Sequence, residues 1–188
     1  MVTVTFTAIV VSCGDEAGLR SILGQLRYQT RPPDETIAVV SDTPNVAQLR
    51  EHFPDVTFVE QEKAGDWGHQ ARATGLELAT REWVGWFNSD DRYDPTYLEK
   101  MMGASDGVDA AFCDWNDRPG DAYFGLYGST AGNFIVRRVV AVGVGWPTDM
   151  VSVSGMPPGY ANDGRFIDAV VASGATYRKV PEFLYLHF

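Results

Sequence analysis

The sequence predicts an α/β protein with a mostly parallel central sheet flanked by helices on both faces. Short apolar segments rich in β-branched residues alternate with segments whose apolar residues recur at helical spacing. This alternation is typical of a parallel sheet with crossover helices. The chain has 188 residues, 45% of them hydrophobic and 21% charged, which suits a single domain spanning residues 1–188.

Each element of the first half follows from a local pattern. Leucine and isoleucine recur at helical spacing after the first apolar segment, and Pro54 ends the second helix. Asp94 and Pro95 are expected to open a further helix, with Asp as the N-cap and Pro at the first helical position. The predicted strands cover residues 4–12, 36–40, 56–59 and 82–87, and the predicted helices cover residues 16–28, 45–52 and 67–80.

The second half is less regular, and its short strands are expected to form a smaller antiparallel part of the sheet. A helix is predicted at residues 162–173, with Phe166, Val170 and Val171 among its inward-facing residues. The glycine- and proline-rich segment 143–159 is predicted to be a mobile loop. The remaining predicted elements are strands at residues 108–113, 123–127, 133–136, 176–180 and 183–186, and a helical turn at 137–142.

Polar residues follow three of the predicted parallel strands, in segments 12–15, 41–42 and 88–91. Ligands of such sheets bind beyond the carboxyl ends of the strands, so these segments should converge at one edge. Asp90 and Asp91 are adjacent there, and two close negative charges repel unless water, a proton or a cation intervenes. The sequence therefore predicts a site for a cation and a polar ligand at this edge.

The formal net charge of −10 disfavours nucleic acid or an anionic membrane as a partner, and it means that a phosphorylated ligand needs a cation. No apolar run approaches the ~20 residues of a membrane helix, and the N-terminus lacks the features of a secretory signal. Cys13 and Cys113 are too far apart for a Cys-x-x-Cys pair. We expect both to be buried free thiols in a cytoplasmic protein.

Three segments, in order, resemble family 2 glycosyltransferases of the GT-A fold. They are "AIVVSCGDEAGLRSILGQLRYQTRPPDETIAVVSD", "ARATGLELATREWVGWFNSDDRYDPTYLEKM" and "NDGRFIDAVVASGATYRKVPEFLYLH". The resemblance implies a Rossmann-like sheet whose residues 1–113 bind a nucleotide-sugar donor. Residues 114–188 would then supply the acceptor site and the catalytic base. The implied reaction is metal-dependent, inverting transfer of a sugar, expected to be UDP-linked, to a hydroxyl of a glycan, lipid, protein or small molecule.

The resemblance assigns the Asp-rich segment to a divalent metal, Mn²⁺ or Mg²⁺, for which hard oxygen ligands are suited. The family usually carries Asp at the position of Asn88. Either Asn88, Ser89 and Asp90 therefore fill the Asp-x-Asp pattern, or Asp90 and Asp91 form the working pair, and we expect both aspartates to take part. A late histidine joins the metal in some relatives, which makes His187 a third candidate ligand.

Further residues match donor-binding positions of the family. Asp42 matches the position that reads uracil or another base, and Arg72 matches the Arg of an Ala-Arg motif beside the diphosphate. Ala73 stands where the family has Asn. Ser12 and Asp90, at the ends of two predicted strands, complete the expected donor site.

Asp163 matches the second member of the family's catalytic acidic pair, and it is the expected general base. Asn162 stands at the first position, where the family usually has Glu, and either residue is also suited to cap the helix that follows. Trp115, Trp146 and Tyr160 are expected to form an aromatic wall for the acceptor, although core packing explains each of them equally well.

Two other functions stay open. One is a degenerate nucleotide-sugar or carbohydrate-binding domain without turnover, which the departures at Asn88, Asn162 and Ala73 allow. The other is a nucleotidyltransferase, although the basic glycine-rich loop that it needs after the first strand is missing. A dinucleotide-dependent oxidoreductase is excluded because Asp15 and Glu16 stand where its pyrophosphate would bind.

Overall fold

The computed structural model describes residues 4–153 and 155–188, which form one eight-stranded sheet and six helices. Strands and helices alternate through the first half of the chain, as the sequence predicts. The strands are β1 (Phe6–Cys13), β2 (Glu35–Ser41), β3 (Val56–Glu60), β4 (Trp83–Asn88), β5 (Arg92–Tyr93), β6 (Ala110–Trp115), β7 (Phe134–Arg137) and β8 (Tyr177–Leu186). The helices are α1 (Glu16–Arg27), α2 (Val46–His52), α3 (His69–Leu78), α4 (Tyr97–Gly103), α5 (Arg138–Val144) and α6 (Asn162–Ala172).

The strand order is β3-β2-β1-β4-β7-β6-β8-β5. The four strands from β3 to β4 are parallel, which confirms the predicted parallel half. Strand β7 is antiparallel to both β4 and β6, and β5 is antiparallel to β8, whereas β6 and β8 are parallel. The sheet therefore continues into a smaller mixed part, most of whose pairings are antiparallel.

Helices pack on both faces of this sheet, as predicted. Successive side chains of a strand point to opposite faces. Trp86 packs against Phe166 of α6, with ring centroids 5.1 Å apart, whereas its neighbour Phe87 packs edge-on against Tyr97 of α4 at 5.9 Å. None of the helices in the described part of the chain has the length and apolar content that a membrane crossing requires.

Several predicted boundaries are wrong for local reasons. Helix α4 begins at Tyr97, because the Asp94 carboxylate accepts hydrogen bonds from the backbone and hydroxyl of Thr96 in a turn before the helix. The two final strands are one strand, β8, whose register against β6 shifts beside Pro181. Residues 123–127 form no strand, and the short β5 was not predicted.

The predicted loop 143–159 is anchored at several of the positions described. Helix α5 continues to Val144, and Trp146 is buried against Trp86, with ring centroids 4.6 Å apart. The Asn162 side-chain amide donates to the carbonyls of Pro147 and Asp149, each at 3.1 Å. These contacts fix the segment that leads into α6. Within α6, Val171 is exposed, contrary to the prediction.

Candidate functional site

A cleft of about 820 Å³ lies at the carboxyl ends of the parallel strands. The predicted convergence of segments 12–15, 41–42 and 88–91 is present in the backbone. The Gly14 amide donates to the Ser41 carbonyl at 2.9 Å, and the Ser89 amide donates to the Val11 carbonyl at 3.2 Å. The N-terminal turn of α6 and the C-terminal residues line the same cleft. The cleft therefore joins the sheet edge to the second half of the chain.

The two adjacent aspartates occupy different environments. Asp90 is exposed and lines the cleft, whereas Asp91 is fully buried beneath it. Desolvation by the cleft walls, followed by the negative charge of Asp91, raises the pKa of Asp90 above its ordinary value. Two neighbouring carboxylates are tolerated here because their side chains are separated, and only Asp90 lines the cleft.

Asp91 is held by three side chains. Its Oδ2 accepts a hydrogen bond from the Tyr185 hydroxyl at 2.7 Å and another from the Asn88 amide at 2.7 Å. Its Oδ1 lies 3.0 Å from Nδ1 of His187. An ionised carboxylate can only accept, so Nδ1 of His187 carries the proton of this hydrogen bond. The other ring nitrogen, Nε2, takes no part in it. This position differs from the expected one, in which Asp91 contacts the metal directly.

His187 lines the cleft and is about a third exposed, with a side-chain exposure of 36%. Its backbone is tied to Asn116, whose side chain accepts from the His187 amide at 2.7 Å and donates to its carbonyl at 2.8 Å. The hydrogen bond to Asp91 raises the pKa of His187, against the opposing effect of burial. Asp91 therefore holds the His187 ring, and Asn116 holds the His187 backbone.

Asn88 joins two buried charges. Its Oδ1 accepts from Nη2 of Arg72 at 2.6 Å, and its Nδ2 donates to Asp91 at 2.7 Å. An aspartate could accept from Arg72 but, when ionised, could not donate to Asp91. The departure from the Asp that the resemblance expects therefore has a structural reason in this chain.

Arg72 lies in the wall of the cleft rather than on its surface, with 6% exposure. Besides Asn88, its guanidinium donates to the Trp67 carbonyl at 2.7 Å and lies over the Trp146 ring, 5.6 Å from its centroid. Its Nε has no hydrogen-bond partner within residues 4–153 and 155–188. The guanidinium of Arg72 is therefore already bound on two sides, to Asn88 and to the Trp67 carbonyl.

The two other expected donor residues stand apart from each other. Ser12 is buried in the cleft wall, and its hydroxyl donates to the Asp15 carbonyl at 3.1 Å. Asp42 is exposed beyond the end of β2, with a left-handed φ of 50°, and its carboxylate lies 4.0 Å from Nζ of Lys63. Lys63 lines the cleft whereas Asp42 stands outside its lining, at the rim.

Asp163 lines the same cleft, in the first turn of α6. Its Oδ2 accepts from the Ala131 amide at 2.9 Å and from the Thr130 hydroxyl at 3.5 Å. Gly164 lets this turn approach the chain at Leu126, because a Cβ there would lie 2.1 Å from the Leu126 carbonyl oxygen. Asn162 is fully buried and holds the preceding segment instead of facing the cleft.

The three aromatic residues expected at the acceptor site are separated in the structure. Tyr160 is 59% exposed and lines the cleft. Trp115 reaches the cleft but is 9% exposed, with its ring edge-on to His187. Trp146 is part of the core, stacked on Phe166, and does not line the cleft, so its expected contact with an acceptor is wrong for this structure.

The cleft lining also contains residues that the sequence did not indicate, among them Trp67 and His69. Trp67 is 61% exposed, and its ring is edge-on to Tyr160. His69 is buried; burial lowers its pKa, and it accepts from the Trp146 indole at 3.2 Å. The sequence signal for Trp67 is the presence of a tryptophan between Asp66 and Gly68, in a polar loop after the third strand.

One of the two cysteines is buried as predicted, and the other is exposed. Cys113 is buried, and burial raises the pKa of its thiol. Cys13 is exposed and lines the cleft, because β1 delivers its last residue beyond the sheet edge. One of the two thiols therefore faces the candidate site.

Comparison with known proteins agrees with this architecture. The model of the family described as "Glycosyl transferase family 2" matches residues 7–141, and no curated protein matches the sequence. TarS from S. aureus in complex with UDP is 17% identical, with a TM-score of 0.75 over 97% of this chain and 60% of that chain. The mannosyltransferase PcManGT from Pyrobaculum calidifontis, in complex with GDP-Man and Mn²⁺, is 21% identical, with a TM-score of 0.77 over 97% and 56%.

A further structure, S. aureus TarS in complex with UDP-GlcNAc, is 16% identical, with a TM-score of 0.74 over 97% of this chain and 58% of that chain. The chain thus spans little more than half the length of these three solved chains. The likeness at such low identity concerns the fold, and the family model covers more than half of the sequence. The chain therefore belongs to glycosyl transferase family 2, a family of glycosyltransferase enzymes, and it has the GT-A fold.

Proposed function

We propose that this chain transfers a sugar from a nucleoside-diphosphate donor to an acceptor hydroxyl, with Asp163 as the general base. The observation that carries the proposal is the shared cleft, which is lined both by Asp90 at the sheet edge and by Asp163 in the first turn of α6. A donor and an acceptor bound there would meet between these two carboxylates. The proposed donor is a UDP-sugar, the class that the sequence resemblance implies.

The donor would lie over the carboxyl ends of β1, β2 and β4. Asp42 is free to accept a base N–H at the rim, and Lys63, 4.0 Å away, adds a positive charge beside it. The positive charge of the buried Arg72 guanidinium would attract the diphosphate from within the cleft wall, and Ser12 forms part of the same wall. This arrangement revises the expected role of Arg72 from a direct ligand to a charge behind the wall.

The residues fit a divalent metal that is shared with the donor. No group of three or more His, Cys, Asp and Glu side chains in the described segments could hold a metal ion alone. Mg²⁺ is usually bound through one or two carboxylates together with substrate phosphates, so Asp90 would supply the carboxylate, and His187 would add an imidazole nitrogen. When bound, such an ion neutralises charge on the departing diphosphate.

The charge of the cleft supports the same proposal. Its lining includes the five aspartates Asp15, Asp66, Asp90, Asp117 and Asp163 but only three lysine or arginine residues. A diphosphate entering this cleft meets an excess of negative charge, which a divalent cation would offset. Asp91 would act as a positioning residue, because a carboxylate behind a metal-binding histidine fixes its ring and its tautomer.

The proposed reaction is a single displacement. The acceptor oxygen forms a bond to the anomeric carbon as the bond from that carbon to the diphosphate oxygen breaks. Asp163 takes the acceptor proton on Oδ1, while Oδ2 stays bound to the Ala131 amide, and the nucleoside diphosphate leaves with the bonding electron pair. A single displacement inverts the configuration of the anomeric carbon.

Two of the three departures that allow a binding domain without turnover have a structural role in this chain. Asn88 bridges Arg72 and Asp91, and Asn162 holds the carbonyls of Pro147 and Asp149, so neither asparagine leaves a gap in the cleft. The base and the exposed aspartate are both retained. Turnover is therefore the better-supported function.

Titration calorimetry with UDP and GDP, each with and without Mn²⁺, tests the donor and metal proposals. We expect one nucleotide to bind with metal-enhanced affinity, and Asp90→Asn to weaken metal-dependent binding about 30-fold, the equivalent of about 2 kcal/mol for a lost charge partner. Asp106→Asn, an exposed aspartate outside the cleft, is the matched control. Equal affinities with and without Mn²⁺ in the wild-type protein would refute metal dependence.

Thiol labelling locates the donor independently. In the native protein a thiol reagent should modify Cys13 but not Cys113, because only Cys13 is exposed. At a nucleotide concentration about tenfold above Kd, labelling of Cys13 should slow about tenfold as the free fraction falls. Unchanged labelling under conditions where calorimetry shows bound nucleotide would place the donor away from the end of β1.

A further inference from the structure

We propose that Trp67 and Tyr160 form an acceptor subsite that binds a sugar ring, so that the acceptor is a glycan or another glycoside. This inference rests on the proposed function, since it names the substrate that Asp163 deprotonates. Tyr160 stands three residues before Asp163, and all three side chains line the same cleft. A sugar held by the two aromatic residues would therefore present its hydroxyls close to the proposed base.

The two rings form a corner. Their centroids are 6.1 Å apart and their planes meet at 87°, with Trp67 61% exposed and Tyr160 59% exposed. An aromatic face is the negative part of the ring quadrupole, and it attracts polarised C–H groups such as those on one side of a pyranose. In this corner one ring can lie beneath a sugar while the other borders it.

Trp67 is held in place at a conformational cost. Its φ of 59° lies in the left-handed region, which is a genuine outlier for a bulky residue. Its carbonyl accepts from Arg72 at 2.7 Å, and its indole N–H donates to the Pro158 carbonyl at 3.2 Å. The neighbouring Asp66 carboxylate accepts from the amides of Gly68 and Gln70. An exposed tryptophan that the surrounding chain fixes so firmly is suited to contact a ligand.

The surroundings favour a sugar over a lipid chain. Asp66 and Asp117 line the cleft with the two rings, and so does Arg118. Polar groups in the cleft that holds the aromatic corner can bind hydroxyls, whereas an alkyl chain would desolvate Asp117 and Arg118 without offering them a polar partner. The corner therefore matches a ligand with one apolar face and a polar rim.

Tryptophan fluorescence can test the subsite directly, because the other four tryptophans are buried. Trp83, Trp86, Trp115 and Trp146 have exposures of 1%, 0%, 9% and 6%. Acrylamide quenching in the native protein should thus report mainly on Trp67. With nucleotide and Mn²⁺ present, we expect one or more methyl glycosides of glucose, galactose, mannose or N-acetylglucosamine to protect Trp67 from quenching, and this protection should disappear in Trp67→Phe.

The kinetic counterpart uses the glycoside that protects Trp67. Tyr160→Ala and Trp67→Ala should each raise its KM about twofold to tenfold, the range of a lost aromatic contact, while nucleotide affinity stays unchanged. Tyr28→Ala removes an aromatic residue that is 82% exposed outside the cleft, and it should change neither quantity.

The outcomes separate this inference from the proposed function. If nucleotide binds but no glycoside in the panel protects Trp67, the sugar subsite is refuted and the donor site stands. If n-octanol protects Trp67 and the glycosides do not, the acceptor is a lipid and the inference is again overturned. If no nucleotide binds to the wild-type protein, the proposed function itself fails.

Discussion

Asp163→Asn is expected to lower the rate of sugar transfer by about 10²–10⁴-fold, the usual contribution of a general base. The substitution keeps the shape of the side chain and an oxygen that can accept from the Ala131 amide, now 2.9 Å from Oδ2. Nucleotide affinity should change far less than the transfer rate, because Asp163 is not among the proposed ligands of the donor or the metal. Steady-state kinetics together with titration calorimetry measure both quantities.

Helix α6 supplies its own control for this experiment. Asp168 is exposed, lies outside the cleft lining, and accepts from the Leu126 amide at 3.0 Å. Asp168→Asn makes the same chemical change in the same helix and should leave the transfer rate within about threefold of wild type, since surface substitutions of this kind alter stability by ±0.5 kcal/mol or so. An Asp163→Asn enzyme with wild-type rate would show that another group takes the proton.

Gly164→Ala is expected to have the second large effect. The new Cβ would lie 2.1 Å from the carbonyl oxygen and 2.5 Å from Cα of Leu126, and both are backbone atoms that cannot rotate away. The first turn of α6 must therefore shift. We expect a loss of about 3 kcal/mol in the free energy of unfolding. The transfer rate should also fall about 10²-fold, as for a catalytic group misplaced by ~1 Å.

Gly24→Ala is the matched control, because Gly24 lies inside α1 and nothing would stand within 4 Å of its new Cβ. There the change should stabilise the protein by about 0.5–1 kcal/mol, the usual difference between Ala and Gly in a helix. Urea denaturation of the two variants measures the contrast. Equal stability of both would mean that the turn of α6 does not pack closely on Leu126.

The parallel half of the fold is predictable from sequence because its signals are local. Strands β1 to β4 are short runs in which apolar and β-branched residues predominate, and α1 repeats its leucines at helical spacing, so each element can be identified without its partners. The mixed half depends on pairings between distant segments. Nothing near β7 indicates that it inserts between β4 and β6, and Pro181 suggests two strands where β8 is one.

The candidate site also combines residues with a local sequence signal and residues whose placement depends on distant segments. Asp90 could be assigned to the ligand edge from its position at a strand end, and Asp163 was indicated by its match to the acidic pair of the family. The burial of Asp91 could not be predicted, because its partners Tyr185 and His187 are 94 and 96 residues away along the chain. The sequence likewise gives no sign that Trp146 is buried and Trp67 is exposed. The exposure of a tryptophan in a loop depends on what packs against it.

The bridge from Arg72 through Asn88 to Asp91 has a consequence for sequence variation. The three side chains carry one positive charge, no charge and one negative charge, so this part of the cleft floor is neutral before any ligand arrives. An ionised aspartate at position 88 would place a second buried carboxylate beside Asp91, and a proton or another cation would have to accompany it. Related chains that carry aspartate at position 88 should therefore place a further positive charge, a metal ion or a proton beside the carboxylate at position 91.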